Sequence, residues 1–215
     1  GRQQTVDMLD DYAHMAAAAL TLFEITAKPK YLERAESWTD IAGALFWDVD
    51  GGGYFQSPHD ARDLIVRTRS AADSAVPSGN GMMATVLARL FHLTGVDHRR
   101  ARAEQTVVAF EVEAMRSFPH AVQILTAFDT LANAIQIVLV GDNVKALRRA
   151  VAVSAPPGVI VQHIGEGTAL PATHPAHGKT AVDGKSTAYV CRGTSCSAPV
   201  TDPNDLRALL RPVAA

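Results

Sequence analysis

The chain has 215 residues, of which 47% are hydrophobic and 20% are charged, and its formal net charge is -2. This is an ordinary soluble composition, with enough residues for one good core and a small appendage. The charge balance excludes a general electrostatic grip on nucleic acid, which needs a basic surface. No apolar run approaches the roughly 18 residues of a membrane span, so we expect neither nucleic acid nor a membrane as a partner.

The start of the chain and its cysteines bear on its origin and location. It begins at Gly1 without an initiator methionine or a signal-peptide pattern, which predicts a processed start or a piece of something longer. Only Cys191 and Cys196 are present, too few for a disulfide framework, and this favours a reducing, cytoplasmic location. Their C-x4-C spacing fits neither a C-x-x-C redox signature nor a four-ligand zinc pattern. We predict no metal and no cofactor, and we favour two free thiols over a disulfide.

Apolar residues recur at spacings of three and four through most of the first 133 residues, which predicts helices joined in hairpins. The predicted helices cover 6–28, 31–46, a stretch from the Pro-Ser-Gly-Asn segment at 77–80 to about 94, 97–115 and 118–131. Three glycines at 51–53 give the backbone access to positive φ and end the second helix. Strand-like runs at 54–56 and 64–68 then predict a β-hairpin excursion within 51–69.

After Asn133 the sequence becomes typical of a small α/β tail. Strands are predicted at 135–140, 159–161 and 188–191, because these runs are rich in β-branched residues. Short helices are predicted at 144–152 and 203–210, and a loop at 165–185. The fold class is therefore mainly α, with helical hairpins over 1–133 and a small α/β extension over 134–215 that we expect to pack on the helices.

Five groups of residues together resemble one known family. They are Leu9 to Ala13, Phe46 to Asp48 with Gly52 to Phe55, Leu64 to Arg67, Asp73 with Ala75 to Asn80, and Ala188 to Cys191 with Cys196 and Pro199 to Pro203. In this order and spacing they are similar to the C-terminal region of the thioredoxin-domain-containing, spermatogenesis-associated-like protein family. Each group alone is a weak signal, but the ordered set is specific and covers nearly the whole chain.

The resemblance implies an (α/α)6 toroid, similar in fold to N-acylglucosamine 2-epimerases and six-hairpin glycosidases. Five predicted helices make fewer than three of the six hairpins, so we expect a partial toroid of about half the ring. The other half and an N-terminal thioredoxin-like domain are expected to be absent from this chain. The uncovered edge of the ring would then be apolar, which predicts self-association.

In toroids of this type the loops at one end of the inner helices line a central cleft, so helix starts are the candidate site. Paired carboxylates can act as acid and base, which makes Asp11 and Asp48 the catalytic candidates. Adjacent helical residues point about 100° apart, so at most one of Asp10 and Asp11 faces a cleft. The alternative is that both are helix-start acids favoured by the helix dipole.

Six further residues are candidates for ligand binding: Tyr12, Trp47, Arg67, Asp73, Ser78 and Asn80. Trp47 beside Asp48 offers a sugar a flat apolar face and a hydrogen-bond acceptor, or it is a core residue before a turn. Arg67 either binds an anionic or hydroxyl-rich ligand or pairs with Asp73 to fasten the loop. Ser78 and Asn80 either contact a ligand or cap the helix that starts there.

Two functions of the toroid stay as alternatives, beside a thiol function of Cys191 and Cys196. The complete toroid is expected to bind or process a carbohydrate, in an epimerase-like or glycosidase-like way, with this chain inert by itself. The other alternative is a non-catalytic scaffold that partners a thioredoxin-like domain. Whether the protein is an enzyme is open at this point, because a shared fold does not fix a reaction.

Overall fold

The computed structural model describes residues 7–61, 64–193 and 195–211, which form two compact units. Unit 1 comprises the chain up to Phe23, Lys28–Phe91 and Val96–Leu131, and unit 2 comprises Glu24–Ala27, His92–Gly95 and the chain from Ala132 onward. The described residues are mainly helical with one small sheet, as predicted. None of the described helices is long and apolar enough to cross a membrane.

The five predicted helices before residue 134 are all present. They are α1 (Leu9–Thr26), α2 (Pro29–Phe46), α3 (Gly79–Thr94), α4 (Asp97–Arg116) and α5 (Val122–Asn133). Pro29 lies in the first turn of α2 rather than between helices, because its missing N–H has no intrahelical partner there in any case. Helix α5 begins at Val122 and not at Phe118 as predicted, since the intervening residues form a turn.

Helix α3 is the central element of unit 1. Met83 and Leu87 are buried with residues of α1, α2 and α4, whereas Ala84 is buried with residues of α4 and α5. Two core clusters therefore meet on this helix, and its side chains are buried on almost every side. A helix that is apolar around its circumference is a core helix, which is the role that α3 has here.

The predicted β-hairpin excursion within 51–69 is wrong for the residues described there. Trp47 and Tyr54 form a single isolated bridge, and no strand follows. The backbone N–H and carbonyl of Tyr54 bond to the side chain of Asn80 instead of to a second strand. A buried asparagine amide thus takes the place of a ladder partner. Part of the predicted excursion, residues 62–63, lies outside the described residues.

Unit 2 contains a four-stranded sheet with the order β2-β1-β3-β4. Its elements are β1 (Ile135–Val140), α6 (Lys145–Ser154), β2 (Ile160–Ile164), β3 (Thr187–Arg192), β4 (Ser195–Cys196) and α7 (Pro203–Leu210). Strand β1 is parallel to β2 and antiparallel to β3. The parallel pair needs a crossover connection, and α6 supplies it.

Both faces of β1 are buried. Ile137 and Leu139 pack with apolar residues of α6 and α7, whereas Val138 and Val140 pack with Ile164 and with the loop after β2. This explains why β1 is apolar at every position from Ile137 to Val140 instead of alternating. The predicted strand at 135–140 is confirmed, and the packing of the tail on the helical hairpins stays a prediction.

The structure pairs Cys191 with Cys196 in a disulfide across the β3–β4 hairpin. The expectation of two free thiols is therefore wrong. The two residues lie opposite each other in the antiparallel register, and the C-x4-C spacing alone did not determine that register. The cytoplasmic location, which the small number of cysteines favours, stays a prediction.

Replacement of Cys196 by serine is expected to lower the free energy of unfolding by about 2 kcal/mol, because a cross-link over a short loop restricts the unfolded chain. Urea unfolding of the variant and of the oxidised parent measures the difference. The control Ser195→Ala alters the exposed neighbour without touching the cross-link, and we expect a change within about 0.5 kcal/mol. Equal losses in the two variants would contradict a stabilising disulfide.

Candidate functional site

The first turns of α1 and α3 border a small polar cavity of about 100 Å³ in unit 1. Its lining consists mainly of short polar or small apolar side chains: Leu9, Asp10, Gln56, Ser70, Ala72, Ser74, Val76, Pro77, Ser78, Gly79 and Asn80. The cavity therefore presents one carboxylate among hydroxyl and amide groups. Helix N-termini add a positive dipole end and backbone N–H groups. This chemistry suits a ligand group that carries hydroxyls.

Asp10 lines the cavity, whereas Asp11, the sequence candidate, does not. Asp11 is exposed, and its Oδ2 accepts a hydrogen bond of 3.1 Å from the Met8 N–H, so it closes the first turn of α1. A Cβ placed on Gly79 would lie only 2.2 Å from Asp10 Oδ1. The glycine thus lets the half-buried Asp10 carboxylate lie directly against the start of α3. As expected, at most one of the two acids faces a cleft.

Tyr12 is held in unit 1 by two neighbours and does not line the cavity. Its hydroxyl donates to Asp7 Oδ2 at 3.2 Å, and its ring centroid lies 5.6 Å from that of Phe46. Burial, followed by the hydrogen bond from the phenol to the Asp7 carboxylate, raises the pKa of Tyr12. The phenol therefore serves packing near the start of α1.

Asp48 organises the glycine-rich turn after α2. Its Oδ1 accepts from the N–H groups of Asp50 and Gly51 at 3.1 and 3.2 Å. Its Oδ2 forms an ion pair of 2.7 Å with Arg69. Both carboxylate oxygens are thus engaged in the turn, and the residue lies outside the cavity that Asp10 lines.

The ring of Trp47 is covered by other side chains. The Arg102 guanidinium lies 4.2 Å from the ring centroid, and the ring of Tyr54 packs edge-on with centroids 5.0 Å apart. A guanidinium over an aromatic face is a favourable cation–π arrangement. Trp47 therefore holds an arginine against its ring and packs on Tyr54, the role of a structural residue.

Arg67 donates to backbone carbonyl groups of the loop. Its Nε and Nη2 donate to the Ser57 carbonyl at 3.0 and 2.8 Å, and Nη2 also donates to the Leu45 carbonyl at 3.2 Å. The guanidinium lies 4.1 Å from the ring centroid of Phe55. Of the two alternatives for Arg67, the pairing with Asp73 is wrong, since Arg67 donates to these carbonyls and Asp73 accepts from other N–H groups.

Asp73 and Ser78 are capping residues. Asp73 accepts from the Ser78 N–H at 2.8 Å through Oδ1 and from the Gln123 N–H at 2.9 Å through Oδ2, which ties the starts of α3 and α5 together. Ser78 Oγ accepts from the Gly81 N–H at 3.2 Å, the bond expected of an N-cap. For Ser78 the capping alternative is confirmed, although its side chain also lines the cavity.

Asn80 is fully buried and bonded on both sides of its amide. Its Oδ1 accepts from the Tyr54 N–H at 2.8 Å, and its Nδ2 donates to the carbonyls of Tyr54 and Ser70 at 2.9 and 3.0 Å. A single side chain thus fastens two separate points of the loop to α3. Three bonds leave little of this amide for a ligand.

Sequence reasoning does not single out Gln56, Ser70 or Ser74, which complete the polar lining of the cavity. These residues belong to no motif and lie in a loop without regular structure. A signal was nevertheless present, because the loop that leaves α2 must return to the start of α3. Its last residues therefore have to lie near the helix start that carries the other candidates.

No protein-family model matches the chain. Human spermatogenesis-associated protein 20 is 34% identical over 214 residues, which cover 95% of this chain and 27% of the human protein. The rat protein of the same name is 33% identical over 212 residues, covering 94% and 27%. An uncharacterized protein of Caenorhabditis elegans is 28% identical over 215 residues, covering 97% and 29%.

These homologues support the family that the motifs predicted. The chain spans about a quarter of the length of the curated relatives it matches, with 27% of the human protein aligned. The similarity extends over both units, since 95% of the chain takes part in it. The activity of the whole relatives is therefore not assigned to this chain on the basis of this similarity.

Replacement of Asn80 by alanine is expected to lower the free energy of unfolding by about 3 kcal/mol, because buried backbone groups of Tyr54 and Ser70 would lose their partners. Thermal or urea unfolding of unit 1, followed by its tryptophan fluorescence, measures the loss. Asn204→Ala is the control, since Asn204 is an exposed asparagine in the first turn of α7. A change below about 1 kcal/mol for Asn80→Ala would contradict the anchoring role.

Proposed function

We propose that this chain is part of an (α/α)6 toroid of the thioredoxin-domain-containing family, and that its cavity at Asp10 is a subsite for a carbohydrate. One observation carries the proposal: Asp10 is a half-buried carboxylate at a helix start that lines a cavity among hydroxyl and amide groups. Asp48, in contrast, has both oxygens engaged in its turn. Asp10 is therefore the acidic residue that we assign to ligand binding.

The lining chemistry fits the end of a sugar. A carboxylate can accept from two neighbouring hydroxyls, and the hydroxyls of Ser74 and Ser78 and the amide of Gln56 can donate or accept. Leu9 and Pro77 supply apolar surface beside these groups. Small-molecule sites combine a few placed polar groups with apolar walls in this way.

The size of the cavity indicates a subsite and not a complete site. Its volume of about 100 Å³ is well below the lower limit of about 300 Å³ for typical small-molecule sites. In a closed ring the opposite hairpins would supply the missing wall of the cleft. We therefore expect the chain by itself to be catalytically inert, even if the complete toroid is an enzyme.

The first helix and the last two helices of unit 1 expose apolar stripes, as an interrupted ring requires. The exposed residues recur at helical spacings: Met8 directly before α1 with Met15 and Leu22 on it, Val108, Val112 and Met115 on α4, and Val122, Leu125 and Phe128 on α5. Each is at least 38% exposed. Contiguous apolar patches of this kind mark contact surfaces. Neighbouring hairpins of a complete ring would cover them.

A non-catalytic scaffold is the second candidate, and it is favoured by a different observation. Asp48, Arg67, Asp73 and Asn80 all serve hydrogen bonds within turns or between the loop and the helices. In this alternative the polar loop only shapes a surface for a thioredoxin-like domain. The two candidates differ in whether a sugar binds at Asp10.

We expect millimolar binding of at least one monosaccharide to this chain, measured by saturation-transfer NMR across a panel of hexoses and N-acetylhexosamines. Asp10→Asn should weaken that binding by about tenfold or more, the effect of losing a hydrogen bond to a charged group. Asp11→Asn is the matched control, because this adjacent acid is exposed and lies outside the cavity.

Absence of binding to both this chain and a longer protein that contains it would rule out the carbohydrate subsite. Equal weakening by the two variants would place the sugar elsewhere. Sugar binding that Asp10→Asn does not change would count for the scaffold candidate and against the role of Asp10.

The exposed stripes predict that the chain self-associates at micromolar concentrations. Leu125→Glu places a charge in the α5 stripe and should shift the sedimentation coefficient toward that of the monomer, because burying an unpaired charge is costly. The control is Ile65→Glu, since Ile65 is a loop side chain that is 102% exposed and lies outside the helical stripes. A parent chain that sediments as a monomer at every concentration would contradict the prediction.

A further inference from the structure

A second cavity of about 290 Å³ in unit 1 is lined by residues of α2 and α4 together with Tyr54 and Leu87 of α3. It shares no lining residue with the cavity at Asp10. Its volume is close to the lower limit of about 300 Å³ for small-molecule sites. Its charged and titratable side chains are Asp40, Tyr54, His98, Arg99 and Arg102, so basic groups outnumber carboxylates.

Arg99 is already neutralised. Its Nη2 lies 3.2 Å from Asp40 Oδ1 and 3.8 Å from Glu36 Oε1, and its Nη1 donates to the hydroxyl of Thr39. The residue is only 5% exposed, so these partners offset the cost of burying its charge. Arg99 and Asp40 therefore contribute little net charge to the cavity.

Arg102 carries the charge that has no counterpart. Among the residues that the structure describes it forms no ion pair, although it is half-buried. Its guanidinium stacks on Trp47 at 4.2 Å from the ring centroid. Gly43 leaves room for it, because a Cβ added there would lie 3.1 Å from Nη1. The arginine thus lies between Trp47 and Gly43 without an ion pair among the described residues.

Tyr54 adds a hydroxyl donor beside this arginine. Burial raises the pKa of Tyr54 to about 12, and the neighbouring Arg102 opposes that rise. The phenol therefore keeps its proton at neutral pH and can donate it in a hydrogen bond. Exposed His98 borders the same cavity and adds an imidazole that can form a hydrogen bond.

We infer that Arg102 is the anchor of an anion site in this cavity, which takes a small molecule bearing a phosphate or carboxylate group. The planar fork of a guanidinium binds both oxyanions through two parallel hydrogen bonds. The Tyr54 hydroxyl and the His98 imidazole can complete the contacts. The inference does not depend on the proposed sugar subsite, since the two cavities are lined by different residues.

The test is titration of the 215-residue chain with inorganic phosphate and, separately, with succinate, followed by NMR shifts of the Trp47 indole N–H. Arg102→Gln should weaken binding by about tenfold or more, as expected for a charge-assisted contact. Arg100→Gln is the matched control, because Arg100 is exposed on the same helix and pairs with Glu104 at 2.7 Å. It should leave the affinity unchanged.

Gly43→Ala provides a variant that keeps every charge. Alanine favours the helix at this position, so the melting temperature should be unchanged or higher. The added Cβ should nevertheless displace the guanidinium and weaken anion binding several-fold. This variant decides the question if Arg102→Gln fails to fold.

The site would be supported if phosphate, succinate or both bind. The anion that binds more tightly would show whether the site prefers a phosphate or a carboxylate group. Failure of both anions to bind at millimolar concentration would overturn it. Equal weakening by Arg100→Gln would also overturn it, because the effect would then be one of general charge. Sugar binding at Asp10 is measured separately, so either result can fail without the other.

Discussion

The hydrogen bonds of the buried Asn80 amide are the interaction on which unit 1 depends. They hold Tyr54 and Ser70, two distant points of the loop between α2 and α3, against the first turn of α3. With Ser70 in place, the end of the loop lines the cavity at Asp10. With Tyr54 in place, its ring lines the second cavity. Both cavities therefore contain a residue that the Asn80 amide holds in place.

The polar residues of this loop resemble an active site for a physical reason. A long segment without strands must still satisfy its backbone N–H and carbonyl groups, and side chains do so here. Asp48 accepts from its own turn, Arg67 donates to loop carbonyls, and Asp73 caps two helices. Catalytic loops and loops whose side chains bond their own backbone thus contain the same residue types. Only the hydrogen-bond partners distinguish them.

The two proposed sites depend on charges that are left over after these structural demands are met. At the start of α1, Asp11 accepts a hydrogen bond that closes the first helical turn. The adjacent Asp10 lines the cavity. Arg102 has no carboxylate partner among the described residues, whereas Arg99 on the same helix pairs with both Asp40 and Glu36. In each pair one residue stabilises the fold and the other is available for a ligand.

The sequence by itself determined the five helices, the first strand and the ordered motifs of the family, because apolar periodicity and local turn residues act over a few neighbours. Only the tertiary structure decided which of Asp10 and Asp11 faces the cavity, that Asn80 replaces a strand, and that Cys191 meets Cys196. These features depend on contacts between residues distant in the chain, or on a strand register. Spacing along a sequence does not specify either of them.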